Sequence, residues 1–321
     1  MIRIGVDIMG GDYAPLETTL GAISAYKELS KDVQLVLIGD KNQIVPILSN
    51  NGLTENQFEI VHTTEVIDMG DHATKAIVQK PNSSIAVGFH LLKEKKIHAF
   101  ASAGNSGAML VGSMFSVKAV NGIQRPAIAS VLPQEDGTTN LILDVGANAD
   151  CKPEVLQQFG LLGSLLAEHV YHKQNPRVAL MNIGEEEEKG NVTSQQAHQL
   201  LKNTKEINFV GNVEGRDLFN NKADVIVCDG FTGNVILKEA ESFYTLIKKR
   251  GIKDEYFDRF DYENYGGTPV LGVNGNVIIA HGISKAKAIK NMILLSKEVT
   301  EANLAEKIAT AFHENVVNQT L

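Results

Sequence analysis

Cysteine is scarce in this chain: Cys151 and Cys228 are all it has. Two thiols cannot staple 321 residues, and their spacing matches no zinc motif, so the simplest setting is a reducing, cytoplasmic one. Long apolar runs are also missing. No stretch approaches the roughly 18–20 residues of a membrane span, and the opening "MIRIGVDIMGGD" enters a strand pattern without a signal-peptide core. Positive charge is in deficit, with 30 Lys and Arg against 38 Asp and Glu, a net charge of −8. Nucleic acid is thereby disfavoured as the main partner, because phosphate-backbone binding needs concentrated cations.

Several catalytic signatures are lacking too. No G-x-x-x-x-G-K-[ST] occurs, nor G-x-G-x-x-G after the first strand, nor H-E-x-x-H. The nine histidines have no ligand spacing. "SAGNSGA" imitates a serine-hydrolase elbow, but Ser106 lies between Asn and Gly at a helix start, where an N-cap role competes with a nucleophilic one.

What is present is alternation. Short β-branched runs ("IRIGVDI", "VQLVLIG", "FEIVH", "IHAFASA", "NLILDV", "RVALMNI", "INFVGNV", "ADVIVCD") alternate with helical patterns such as 15–29, 83–96, 153–171 and 193–203. Strand, helix, strand in that order predicts a mostly parallel sheet in an α/β fold. Hairpins are expected at Asp136-Gly137 and Asn274-Gly275, and a helical tail over 284–317. We read one α/β unit over 1–321, with a charged, aromatic projection or dimer-contact segment near 239–263.

The loops after the strands repeat one chemistry: "MGGD" (9–12), "GNSG" (104–107), "GAN" (146–148), "IGEEEEKGN" (183–191), "GNVEGRD" (211–217) and "DGFTGN" (229–234). Parallel strands put such loops on one carboxyl edge, where open α/β sheets bind ligands. Glycine backbone and helix N-termini there suit an anion. Each loop has a plainer reading as a turn needing positive φ. Six together favour a pocket. Gly10, Gly11, Asp12, Gly104, Asn105, Ser106, Gly107, Asn148, Gly230, Thr232 and Gly233 are its candidate lining.

In sequence these motifs resemble the bacterial phosphate acyltransferase (PlsX) family. The resemblance is carried in order by "DIMGGDYAP", "SAGNSGAML", "RPAIASVLP", "DVGANADCKPE", "NIGEEEEKGN", "NFVGNVEGRDL", "DVIVCDGFTGNVILK" and "NYGGTPVLGVNGNVIIAHG". It implies a Rossmann-like α/β/α sandwich akin to phosphotransacetylase and isopropylmalate dehydrogenase. The implied reaction is reversible transfer of a fatty acyl group from acyl-[acyl-carrier-protein] to inorganic phosphate, without metal or other cofactor. A homodimer is implied, as is coupling to a membrane glycerol-3-phosphate acyltransferase that uses the acyl phosphate for phospholipid synthesis.

For that chemistry Asn234 is the first choice as oxyanion or phosphate donor, its plainer reading being a helix N-cap. Lys189 would offset phosphate charge; otherwise it is a solvated lysine balancing Glu185–Glu188. His281 is a candidate proton donor or phosphate contact, against the ordinary reading of a core histidine.

Three features depart from the family pattern. Ile8 replaces an alanine; only Lys80 remains of a basic run before "SS"; and the interval 239–263 is short and charged rather than a long apolar hairpin. Weak, salt-sensitive membrane association is the most this segment predicts, with dimer contact preferred.

The rival readings are acyl-CoA:phosphate exchange, a dehydrogenase using Asp144, Asp150 or Asp229 as Mg²⁺ ligands, and a non-catalytic scaffold for the membrane acyltransferase.

Overall fold

The computed structural model describes residues 1–318. In chain order the elements are β1 (Ile2–Asp7), α1 (Leu16–Glu28), β2 (Val33–Gly39), α2 (Lys41–Asn50), β3 (Glu59–His62), α3 (Ala73–Gln79), α4 (Ser84–Lys93), β4 (Ala99–Ser102) and α5 (Ser106–Gly112). There follow β5 (Ala127–Pro133), β6 (Thr139–Leu143), α6 (Pro153–His169), β7 (Arg177–Met181), α7 (Val192–Lys202), β8 (Asn208–Val213) and β9 (Val225–Val227). The last are α8 (Gly230–Lys249), α9 (Glu255–Asp258), β10 (Thr268–Leu271), β11 (Asn276–Ile279), α10 (Ala286–Glu301) and α11 (Leu304–Asn318).

Backbone contacts gather these into two units: Met1–Ala119 with Tyr262–Ala305, and Val120–Asp261 with the chain from Glu306 onward. In the first, strand order is β3-β2-β1-β4-β11-β10. All its pairs are parallel except the β10–β11 hairpin. In the second the order is β5-β6-β9-β7-β8, parallel except the β5–β6 hairpin. Both expected hairpins are present. Consecutive residues of β1, β2, β4, β5 and β6 are buried, which requires cover on both sheet faces and explains their continuous apolar runs.

Four local features add to the sequence reading or depart from it. Lys41–Asn50 is helical despite Pro46, because the Asp40 cap and burial of Ile44 and Leu48 outweigh one lost backbone bond. Gly211 and Asn212 belong to β8 rather than to a loop: register slips between Val178 and Leu180, and Gly211, at φ +100°, sits in the irregularity. The expected tail helix is two helices, broken where Asn303 takes φ +50°.

The fourth concerns 239–263, whose far end is tied to the turn between β5 and β6. The Arg259 guanidinium donates to the carbonyls of Gln134 (2.9 Å) and Thr138 (2.6 Å), and Phe260 meets Phe219 edge-on.

Helix packing in the first unit turns on a small residue. A Cβ at Gly21 in α1 would lie 2.5 Å from Ile289 Cβ and 2.8 Å from the Ala286 carbonyl oxygen of α10. Alanine gains about 1 kcal/mol of helix propensity over glycine, but overpacking against backbone costs about 1–3 kcal/mol. Gly21→Ala is expected to lower stability by about 1 kcal/mol in chemical denaturation; an unchanged midpoint would mean that α1 and α10 separate freely.

Candidate active site

In the second unit a buried carboxylate organises the loops after β6 and β9. Asp144 has no exposed surface. Its Oδ1 accepts the Ile128 amide at 2.9 Å, and Oδ2 accepts the Asn148 amide at 2.7 Å and Asn148 Nδ2 at 2.9 Å. Burial raises the Asp144 pKa, and these hydrogen bonds oppose the rise. Asn148 is itself consumed: its remaining donor reaches the Pro126 carbonyl at 2.8 Å.

The two glycines of "DGFTGN" answer to the same carboxylate. A Cβ at Gly230 would lie 2.6 Å from Asp144 Oδ2, and one at Gly233 would strike the Asp144 carbonyl oxygen. Protein, not ligand, makes the close approach that demands glycine here. Asp229 caps α8, its Oδ1 accepting the Thr232 amide at 2.7 Å.

Asn234 is therefore not the N-cap. It lies in the first turns of α8, exposed, with its side-chain amide over Gly146: a Cβ there would sit 3.5 Å from Asn234 Oδ1. Among the described residues that amide has no hydrogen-bond partner.

The loop after β7 is braced from several sides. Asn182 Nδ2 donates to the Lys189 carbonyl (3.1 Å), Asn212 Nδ2 to that of Glu186 (2.8 Å), and Gln195 Nε2 to that of Glu188 (2.7 Å). Glu185 pairs with Lys222, and Glu187 with Lys202. Lys189 does not balance these glutamates. Its ammonium is exposed and enters no ion pair among the described residues.

Cys228 directly follows β9, 4% exposed, and burial pushes its thiol pKa well up. Cys151 is pushed up to about 12, by burial first and then by Asp144 and Asp229. Neither is a ready nucleophile. Of the three carboxylates considered for Mg²⁺, Asp144 has both oxygens committed and Asp229 caps a helix.

In the first unit Asp7 plays the part of Asp144. It is fully buried, its pKa raised by burial; Oδ2 accepts Ser102 Oγ at 2.6 Å and Oδ1 the Met9 amide at 3.0 Å. Ser102 Oγ accepts the Gly104 amide at 2.9 Å. A Cβ on Gly10 would collide with Asp7 Oδ2, so this glycine too is set by packing, while Gly11 takes φ +108°. Asp12 is exposed, its amide donating to the Gly282 carbonyl at 2.8 Å.

Asn105, not Ser106, caps α5, its Oδ1 accepting the Ala108 amide at 2.9 Å. Its Nδ2 is shared among the carbonyls of Asp68, Met69 and Asp71. Ser106 and Gly107 open that helix at the surface. Lys80 is withdrawn from docking duty: Nζ meets the Val66 carbonyl at 2.7 Å and Asp71 at 2.6 Å. His281 stands edge-on to Tyr262, ring centroids 4.9 Å apart.

Asp7, Ser102 and Asp144 were the organisers that loop composition did not single out. The signal was an acidic or hydroxyl residue ending a wholly apolar strand, as in "IGVDI", "AFAS" and "LILDV".

Comparison with known proteins settles the family. The model described as "Fatty acid synthesis protein" matches residues 2–307. "Phosphate acyltransferase" from Dictyoglomus turgidum is 43% identical, with 96% of each chain covered. The protein of that name from Oceanobacillus iheyensis is 43% identical over 98% of each.

The chain belongs to this phosphate acyltransferase family.

Solved structures show the fold alone. A phosphotransacetylase from Streptococcus pyogenes superposes with TM-score 0.65 at 14% identity, covering 93% of this chain and 94% of that one. EutD phosphotransacetylase from Staphylococcus aureus gives 0.62 at 14% identity, covering 92% and 94%. The mostly parallel α/β fold expected from the motifs is the one these structures share.

The split between committed and uncommitted amides is measurable without an assay. Asn148→Ala takes one donor from the Asp144 carboxylate, which keeps two backbone amides, and removes the side-chain donor to the Pro126 carbonyl; it should cost about 1–3 kcal/mol. Asn234→Ala and Lys189→Ala should leave the thermal midpoint within about 1 °C, consistent with surface substitutions of under ~0.5 kcal/mol. Equal destabilisation by all three would show that Asn234 and Lys189 are structural.

Proposed function

We propose that the protein transfers a fatty acyl group from a carrier-protein thioester to inorganic phosphate. The transfer of an acyl group to phosphate is carried by one observation, 43% identity to phosphate acyltransferases over nearly the whole of both chains. A single family model spans both units, which supports reading them as one enzyme. The carrier protein as donor rests on the motif resemblance and the family's place in fatty acid synthesis.

The chemistry asks little of the protein covalently. A phosphate oxygen attacks the thioester carbonyl, the C–O bond forms, and the C–S bond breaks as the tetrahedral oxyanion collapses. The electron pair leaves on sulfur as a thiolate, which takes up a proton from solvent to give the carrier's thiol. Thiolates leave readily, so catalysis rests on holding the phosphate dianion and meeting the oxyanion with donors.

Asn234 and Lys189 suit those tasks, because each presents a polar head that the fold does not use. Asn234 donates to the oxyanion, and Lys189 offsets phosphate charge. Within the same unit, Asp144 and the amide of Asn148 shape the loops after β6 and β9. Burial of Cys228 and its raised thiol pKa support direct attack by phosphate over an acyl-enzyme.

A homodimer accords with Phe243 and Leu246, 56% and 52% exposed near one another along α8. Among the described residues no helix is long and apolar enough to cross a membrane. The protein works in the cytoplasm, handing acyl phosphate to a membrane acyltransferase, with at most salt-sensitive surface association: Lys248, Lys249 and Arg250 are followed by Asp254, Glu255 and Asp258.

Phosphate-dependent release of holo-carrier from a palmitoyl-loaded carrier tests the reading. Turnover is expected with the carrier thioester, and turnover with acyl-CoA alone would instead mark a phosphotransacetylase-type enzyme. Asn234→Ala and Lys189→Ala should each slow it by roughly 10²–10³; near-wild-type rates in both would return them to the solvated surface.

Cys228→Ala should keep most activity, with no acylated enzyme in intact-mass spectra after mixing with donor. A trapped acyl adduct on Cys228 would sink direct attack.

A further inference from the structure

A cavity of about 240 Å³ opens at the carboxyl ends of β2 and β3, and none of the candidate site residues lines it. Met9, Asp40, Gln43, His62, Thr63 and Glu65 form most of its wall. Thr63 is only 3% exposed, and its hydroxyl has no partner among the described residues. A buried hydroxyl without a partner is destabilising unless something meets it.

The other polar groups are partly engaged in a defined way. Asp40 caps α2: Oδ1 accepts the Asn42 amide at 3.0 Å and Oδ2 accepts Gln43 Nε2 at 2.9 Å. Those bonds, Gln43 first, lower its pKa, so it is ionised at neutral pH. A carboxylate has about four lone-pair sites, so acceptor capacity remains on both oxygens. His62 Nδ1 accepts the Lys41 amide at 3.1 Å, which places the hydrogen of the neutral ring on Nε2. Glu65 Oε2 accepts the Asn82 amide at 2.8 Å.

We propose that this cavity binds an uncharged vicinal diol of sugar size, the chemistry a ribose presents. Hydroxyls match both halves of the inventory: they donate to the Asp40 and Glu65 carboxylates and accept from the Thr63 hydroxyl and the His62 N–H. An anion is repelled by the two carboxylates, and the α2 N-terminus is already capped by one of them. An ammonium satisfies the carboxylates but offers no acceptor to the Thr63 hydroxyl or the imidazole.

Position supports the same occupant. The order β3-β2-β1-β4 places Asp40 just past the second strand of a doubly wound sheet, where an acidic side chain takes ribose hydroxyls. The loop after β1 lacks the glycine cradle for pyrophosphate, so the diol is held without an attached pyrophosphate. The volume falls below the ~300–1,000 Å³ of a drug-sized ligand, which fits a sugar rather than a dinucleotide.

Calorimetric titration of the full chain with ribose, adenosine, 2′-deoxyadenosine and ethanolamine decides it, independently of any acyl-transfer assay. Saturable binding of adenosine, or of ribose, is expected, with loss of the 2′-hydroxyl weakening it at least about tenfold. Adenosine binding without ribose binding would name a nucleoside as the source, and equal binding a free sugar.

Asp40→Asn keeps a good N-cap while removing the charge, and Thr63→Val removes only the unpaired hydroxyl; each should weaken binding at least about fivefold. Thr63→Val should hold or raise the thermal midpoint. The proposal is overturned by no saturable binding of either adenosine or ribose at about 10 mM. It also falls if 2′-deoxyadenosine binds equally, if ethanolamine binds more tightly, or if neither substitution affects affinity.

Discussion

A carboxylate buried at the end of a strand holds each unit's loops in place. Asp144 and Asp7 have no exposed surface, and each is surrounded by backbone amides and by a short polar side chain, Asn148 or Ser102. A carboxyl group so placed is tolerated only when hydrogen bonds replace the lost water. The loops must therefore curl back over it. That curl forces glycine at 10, 230 and 233, because a Cβ at each would run into the aspartate itself. Removing either carboxylate would strand several amides at once, which is why these aspartates shape the sites more than any exposed residue does.

Around those anchors the polar side chains divide into two populations. Asn105, Asn148, Asp229, Asn182, Asn212 and Lys80 hold backbone or counter-charges. The side chains of Asn234 and Lys189 are exposed and have no polar partner among the described residues. The first kind forms a rigid frame, and the second leaves polar heads exposed. The acidic run Glu185–Glu188 illustrates the frame. It looks like a block of repulsion, yet Lys222, Arg216 and Lys202 neutralise alternate members and brace the loop that presents Lys189.

The interval after α8 shows a similar division along one segment. Arg259 and Phe260 bind it back onto the β5–β6 turn and Phe219, while Phe243 and Leu246 stay outward on the helix that precedes it.

Local pattern in the sequence determined a good deal. Asp136-Gly137 marks its hairpin because Gly137 takes φ +89°, whereas at the second hairpin the positive φ falls on Gly272 and Asn274 Nδ2 instead holds the carbonyls of Val117, Lys118 and Ala119. Continuous apolar runs announce parallel strands covered on both faces, and the long motifs from "DIMGGDYAP" to "VIIAHG" carry the family. Tertiary structure alone decided which amides are free. Asn148 is spent on Pro126, Asn105 on Asp68 to Asp71, and Lys80 on Asp71 and Val66. It also showed that the glycines of "DGFTGN" answer to Asp144, some 86 positions earlier at Gly230 (230 − 144). Hydrogen-bond commitment depends on partners brought close by strand order, and periodicity of 2 or 3.6 residues holds no record of which strands become neighbours.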